Sequence, residues 1–92
     1  MAIHTMQVTI GASATQISTF SIPVQQVIFQ NNQTHTMRIG DNLTSSTRGG
    51  LLASGAPGGS LNVGALTFNK CDLQQFFVAG TQNDVLDVIW VD

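Results

Sequence analysis

The segment Val85-Leu86-Asp87-Val88-Ile89-Trp90-Val91 constrains the fold of this chain more than any other. Read with a period of two, it puts Leu86, Val88 and Trp90 on one face and Val85, Asp87, Ile89 and Val91 on the other. Its β-branched and aromatic side chains favour extended backbone. A strand apolar on both faces is usually central in a sheet or covered by a partner.

Shorter runs of the same character fill the rest of the chain. Met6-Gln7-Val8-Thr9-Ile10 alternates, with Met6, Val8 and Ile10 on one face. Thr15 to Ile22 is β-branched and aromatic, and Pro23 ends or edges it. Gln25 to Gln30 and Thr36 to Gly40 flank Asn31-Asn32-Gln33, whose Asn residues suit the left-handed conformations of tight turns, so these two runs are predicted to pair as a hairpin. Ser60 to Ala65 and Phe76 to Gly80 are further strands, and Thr81 to Asp84 is a turn. One helical turn is predicted over Asn69 to Gln75, capped by Asn69 or Asp72. No long helix and no internal repeat is indicated.

Between Asp41 and Gly59 the alternation dissolves into Ser45-Ser46-Thr47-Arg48-Gly49-Gly50 and Ser54-Gly55-Ala56-Pro57-Gly58-Gly59. This is a long Gly-rich loop at 41–59, with Leu51-Leu52 as an apolar plug onto the core. Loops of this length in small domains are often functional, so it is a candidate partner-facing element. The whole reads as one all-β domain over 1–92, a small antiparallel β-sandwich or barrel of about seven short strands, with 1–10 forming an N-terminal arm or edge strand.

Only 9% of the residues are charged, against about 25% in ordinary soluble domains. The surface must then be built from Gln, Asn, Ser and Thr, which cost less to desolvate than Lys or Glu. Weak self-repulsion favours association. The only cations are Arg38, Arg48 and Lys70, far apart in sequence, which argues against direct nucleic-acid binding. No apolar run is long enough to span a membrane, and no basic amphipathic helix would lie on one. Met1 to Thr5 has no cationic segment leading into an apolar run, so a signal peptide is not expected and synthesis in a reducing cytoplasm is. Cys71 is the single cysteine, read as a small buried hydrophobe.

Catalytic patterns are missing. His4, expected in a loose terminus, and His35, at a turn, have no metal-type neighbours at ligand spacing, and no cofactor is expected. Asp41, Asp72 and Asp84 stand where turns and caps want a short acceptor. The glycines at 49–50, 55 and 58–59 have no lysine or helix behind them to bind phosphate. The aromatics Phe20, Phe29, Phe68, Phe76, Phe77 and Trp90 read as core, although an exposed cluster of them would suit a carbohydrate-binding or adhesin module. The expectation is a protein that is not an enzyme.

A set of motifs carries a resemblance over about residues 25–92. An apolar strand runs into Asn31-Asn32, then Met37-Arg38-Ile39-Gly40-Asp41, then a Ser/Thr-Gly-Leu stretch from Thr44 to Leu52. Pro57-Gly58-Gly59-Ser60-Leu61 follows, then Asp72-Leu73, Phe76-Phe77-Val78-Ala79-Gly80-Thr81 and the closing Val85–Trp90 strand. This resembles small virion accessory proteins of tailed bacteriophages, of the capsid cement (decoration) type. The resemblance implies a β-sandwich or barrel in the virion that binds and stabilises the shell of major capsid protein, commonly as a homotrimer. A tail, baseplate or fibre component is the alternative within that class. Candidate partner contacts are Met6, Val8 and Ile10, as a strand that could add to a neighbouring subunit, and Arg48, Leu51 and Leu52 in the loop.

Overall fold

The computed structural model describes residues 2–64 and 70–92. Ala65, Phe68 and Asn69, expected in a strand, among the aromatics and at a helix cap, lie outside the described residues. Strands are β1 (Ile3–Thr9), β2 (Thr15–Gln16), β3 (Pro23–Val24), β4 (Gln26–Asn31), β5 (Met37–Gly40), β6 (Gly50–Leu52), β7 (Ser60–Gly64), β8 (Cys71–Asp72), β9 (Phe77–Gly80) and β10 (Val85–Val91). A single 3₁₀ turn over Leu73–Gln75 is capped by Asp72, whose side chain accepts from the Gln74 N–H, as the short-acceptor reading expects.

β10 is a central strand. It lies between β1 and β4 in a four-stranded antiparallel sheet of order β1-β10-β4-β7. Leu86, Val88 and Trp90 face inward and are buried, and Val8 from β1 and Val27 and Phe29 from β4 join them. A second four-stranded sheet, β2-β9-β5-β6, supplies Val78, Met37, Ile39 and Leu52. The two sheets close on one apolar core as a small β-sandwich. The pair β3–β8 brings Val24 and Leu73 to its end.

Two expected strand relations are corrected. The runs 25–30 and 36–40 do not form a hairpin, because β4 pairs with β10 and β7 while β5 pairs with β6 and β9 in the other sheet. Asn31 is the reason. It falls on the inward parity of β4 with Val27 and Phe29, and it is fully buried. There its Nδ2 donates to the carbonyls of His35 (2.8 Å), Leu52 (3.2 Å) and Ala53 (3.2 Å), and its Oδ1 accepts from the Gln33 N–H (2.9 Å). The chain therefore crosses from one sheet to the other at 31–36 instead of folding back. The expected strand over 15–22 shrinks to Thr15–Gln16. Beyond it the Ser18 hydroxyl donates to the Phe20 carbonyl (2.6 Å), a local bond that competes with the ladder. Pro23 then opens β3 rather than ending a strand.

The 41–59 segment is more ordered than a plain loop. β6 pairs with β5, and of the expected plug only Leu52 enters the core, while Leu51 is 57% exposed. The return over 53–59 folds tightly under Asn31, with the Gly58 N–H bonded to the Asn31 carbonyl (2.8 Å) and the Asn31 N–H to the Gly59 carbonyl (3.0 Å). A Cβ on Gly59 would stand 2.5 Å from the Ala53 nitrogen, and one on Gly58 would stand 2.6 Å from the Asn31 oxygen. No side chain fits there.

Replacing Asn31 with Leu leaves buried carbonyls without donors, so destabilisation of about 2–4 kcal/mol is expected in chemical denaturation. Gly59→Ala should destabilise comparably through the backbone clash. Gly50→Ala, whose Cβ would meet nothing closer than 3.7 Å, should leave the midpoint nearly unchanged.

Candidate assembly surface

The four edges of the two four-stranded sheets are unequal. β2 is two residues long and β6 three, short edges of the kind that offer little to another strand. β7 runs for five residues and β1 for seven. β1, Ile-His-Thr-Met-Gln-Val-Thr, has no Pro, Lys, Arg or carboxylate to blunt it.

The ladder with β10 decides which backbone groups of β1 are spent. The register pairs Ile3 with Val91 through Thr9 with Val85. Beyond its two ends, Asp92 N–H donates to the Ala2 carbonyl (3.3 Å) and Ile10 N–H to the Asp84 carbonyl (2.8 Å). Both bonds fall on even positions of the first segment. Hydrogen-bonded pairs alternate in an antiparallel ladder, so His4, Met6 and Val8 aim their N–H and C=O at β10. Ile3, Thr5, Gln7 and Thr9 aim theirs outward, where β1 has no neighbouring strand among the described residues. This edge carries four outward donors and four outward acceptors.

The outer face of the same sheet is almost free of charge. Ile3, Val91, Ile89 and Ile28 form an apolar cluster around a depression of about 130 Å³, and Ile3 is 72% exposed. Further along, Asp87 is held by amides on both oxygens, from Gln7 Nε2 (2.9 Å) and Asn32 Nδ2 (2.7 Å). At the other end, opposite Val91, Gln26 donates to Asn62 (2.9 Å). Such a surface can be covered at low desolvation cost.

His4 is not loose. Its ring stacks on Trp90 with centroids 5.3 Å apart, and its Nε2 lies 3.1 Å from Asp92 Oδ2. The other Asp92 oxygen accepts from the Ala2 N–H (2.8 Å). That amide, and His4 after it, hold the Asp92 carboxyl below the usual carboxylate range. The pair clasps the beginning of β1 to the end of β10. His35, at the turn as expected, contacts Asp84 at 2.9 Å.

The second sheet has its own concavity, an open cleft of about 740 Å³ between 12–14, Thr36, Arg38, 44–46, Leu51 and 79–81. Arg38 is anchored in it by backbone, with Nε on the Ser46 carbonyl (3.1 Å) and Nη1 on the Gly49 carbonyl (2.9 Å). Apart from Arg38 its lining is hydroxyls and apolar groups, with no aromatic ring. Of the aromatics, Phe29 and Trp90 are buried, Phe76 and Phe77 half-buried, and Phe20 is 67% exposed, standing alone among the described residues. Burial pushes the Cys71 thiol up from its ordinary value.

The sequence-predicted contacts divide accordingly. Val8, Ile10 and Leu52 are spent on the core. Met6 is half-buried at the edge, Arg48 is exposed in the loop and Leu51 is exposed on β6. The structure does not bring the two groups together: β1 edges the first sheet, while Arg48 and Leu51 lie at and beside β6, which edges the second. Among the described residues no three His, Cys, Asp or Glu side chains gather where they could hold a metal. No family model matches this chain, and no curated protein or solved structure matches it either.

The Asp92 clasp has a defined acid sensitivity. A carboxyl whose folded pKa is depressed stabilises the fold fully above its unfolded value, about 3.9, and loses that contribution as pH falls through the lower folded value. Amide exchange at Ala2 to His4 should accelerate on acidification below about pH 4 beyond the change seen in the rest of β1. In Asp92→Asn that extra acceleration should disappear.

Proposed function

We propose that this chain is a non-enzymatic structural protein of a tailed-phage virion, seated as a capsid cement (decoration) protein on the shell of major capsid protein. The observation that carries an assembly role is the unblunted seven-residue edge of β1, with its outward row of backbone donors and acceptors. The charge-poor outer face beside it supports the same reading. The virion setting rests on the motif resemblance between residues 25 and 92.

The mechanism is strand addition. An extended segment of a neighbouring subunit lies along β1, with main-chain hydrogen bonds giving affinity and alternate side chains giving specificity. Thr5, Gln7 and Ile3 meet its outward side chains, while Met6 at the edge meets those turned toward the sandwich interior. Each contact is weak, and many copies on one shell sum by multivalency. The Asp92 clasp keeps β1 extended, so little ordering entropy is lost on binding. A tail, baseplate or fibre location would use the same edge. The carbohydrate-binding reading has less behind it, since it needs an exposed aromatic cluster and Phe20 has no such companion among the described residues.

The test is co-sedimentation of purified protein with heads, and separately with tails, assembled from the structural proteins encoded beside this gene. Near-stoichiometric binding to heads is expected. Thr5→Pro removes an outward N–H and the Thr5 side chain but no bond to β10, so it should fold with an unchanged circular dichroism spectrum yet bind about tenfold more weakly. Failure of the unmodified protein to sediment with either particle overturns the reading, and binding to tails alone moves it to the alternative.

A further inference from the structure

We infer that the edge of β1 pairs with β1 of a second copy of this chain, antiparallel and in a register centred on Met6, to make a continuous eight-stranded sheet. This deepens the assembly role proposed above by naming what holds that edge in the free protein, before a segment of the shell displaces it, and it rests on that role only for its biological use.

The outward groups sit on Ile3, Thr5, Gln7 and Thr9, a set symmetric about Met6. An antiparallel copy placed so that Met6 faces Met6 sets Ile3 opposite Thr9, Thr5 opposite Gln7, and the reverse. Every outward N–H then meets an outward C=O, with none left over. Sliding the copy by two residues in either direction unpairs groups at both ends. Sliding it by one opposes odd positions to even ones, whose groups are already bonded to β10. A strand with this odd-numbered, end-to-end symmetric pattern fits a copy of itself without remainder.

The side chains allow it. Across the new seam Thr5 faces Gln7 and Ile3 faces Thr9 on the outer side, while Met6 faces Met6 and His4 faces Val8 on the inner side. No two acidic groups are opposed. The chain as a whole carries a net charge of only −2, so two copies repel weakly. The two-fold axis is perpendicular to the sheet, which puts both apolar clusters around Ile3 and Ile89 on one common face. A dimer built this way presents a broad surface with one polar flank per copy, formed by Gln7, Asp87 and Asn32.

The register is tested with thiols. In a Cys71→Ser background, Met6→Cys places two cysteines in a non-hydrogen-bonded cross-strand pair, about 4.5 Å apart at Cα and inside the range a disulfide spans. Gln7→Cys leaves its two thiol-bearing residues about 8 Å apart, too far to bridge. Under mild oxidation Met6→Cys should become a covalent dimer at least tenfold faster than Gln7→Cys, and adding Thr5→Pro should suppress it. Light scattering of the unmodified protein, which needs no variant to fold, should give the mass of two chains at high concentration.

A mass of one chain at all concentrations, or of three, overturns the pairing, and so does equal cross-linking at positions 6 and 7. A protein that stays monomeric yet loses head binding on Thr5→Pro removes the self-pairing and keeps the assembly role. A cross-linked dimer that sediments with neither heads nor tails keeps the pairing and removes the virion role.

Discussion

Asn31 has to satisfy backbone groups from three separate stretches of chain at once, and the sandwich is organised around that demand. Its amide gathers the carbonyls of His35, Leu52 and Ala53, while its backbone is bonded to Gly58 and Gly59. A buried amide left half-satisfied would be costly. The arrangement therefore ties the exit of β4, the end of β6 and the return into β7 into one corner. The closest backbone approaches occur there, which is why Gly58 and Gly59 admit no Cβ. Without this corner nothing would force β4 and β5 into different sheets.

From that corner the consequences run outward through β10. Because β4 turns away from β5, it offers its free side to β10, and β10 in turn accepts β1. Both rows of backbone groups on β10 are consumed, and its inward Leu86, Val88 and Trp90 anchor the core. The cost of this order is that β1, long and uncharged, ends up outermost. Proteins usually blunt such an edge with charge, proline or shortness. The second sheet follows that rule with its two- and three-residue edges, and β1 does not. The same scarcity of charge leaves Asp87 as a carboxylate on that outer face, hydrogen-bonded by two amides. An edge and a face that are both easily covered sit on one side of the molecule, which is the physical basis for reading the chain as part of an assembly.

Much of this was legible in the residues. The doubly apolar 85–91 strand announced its central place, Asp72 announced its capping role, and Thr81 to Asp84 its turn, where Asn83 takes a positive φ of 75°. The 1–10 region read as either an N-terminal arm or an edge strand, and β1 lies at a sheet edge. The hairpin was not, since Asn31-Asn32-Gln33 is equally good chemistry for a tight return and for a crossover between sheets. A usable signal did exist: Asn31 shares the parity of Val27 and Phe29, so an alternating strand must bury it. Of the candidate contacts, Val8, Ile10 and Leu52 take inward parities and are buried, while Leu51 is exposed.

By itself, then, the sequence determined that the chain is all-β, which residues of each strand share a face, and that the surface is poor in charge. Those properties are local, set by alternation and composition. Tertiary structure decided which strands are neighbours, which of them is left at an edge, and which backbone groups stay unspent. Pairing partners depend on where chain segments separated by tens of residues meet, as Ala2 and Asp92 do. A period of two carries no information about the strand on the other side. The proposed assembly surface lies in that second category, since it consists of backbone groups that only this topology leaves facing outward.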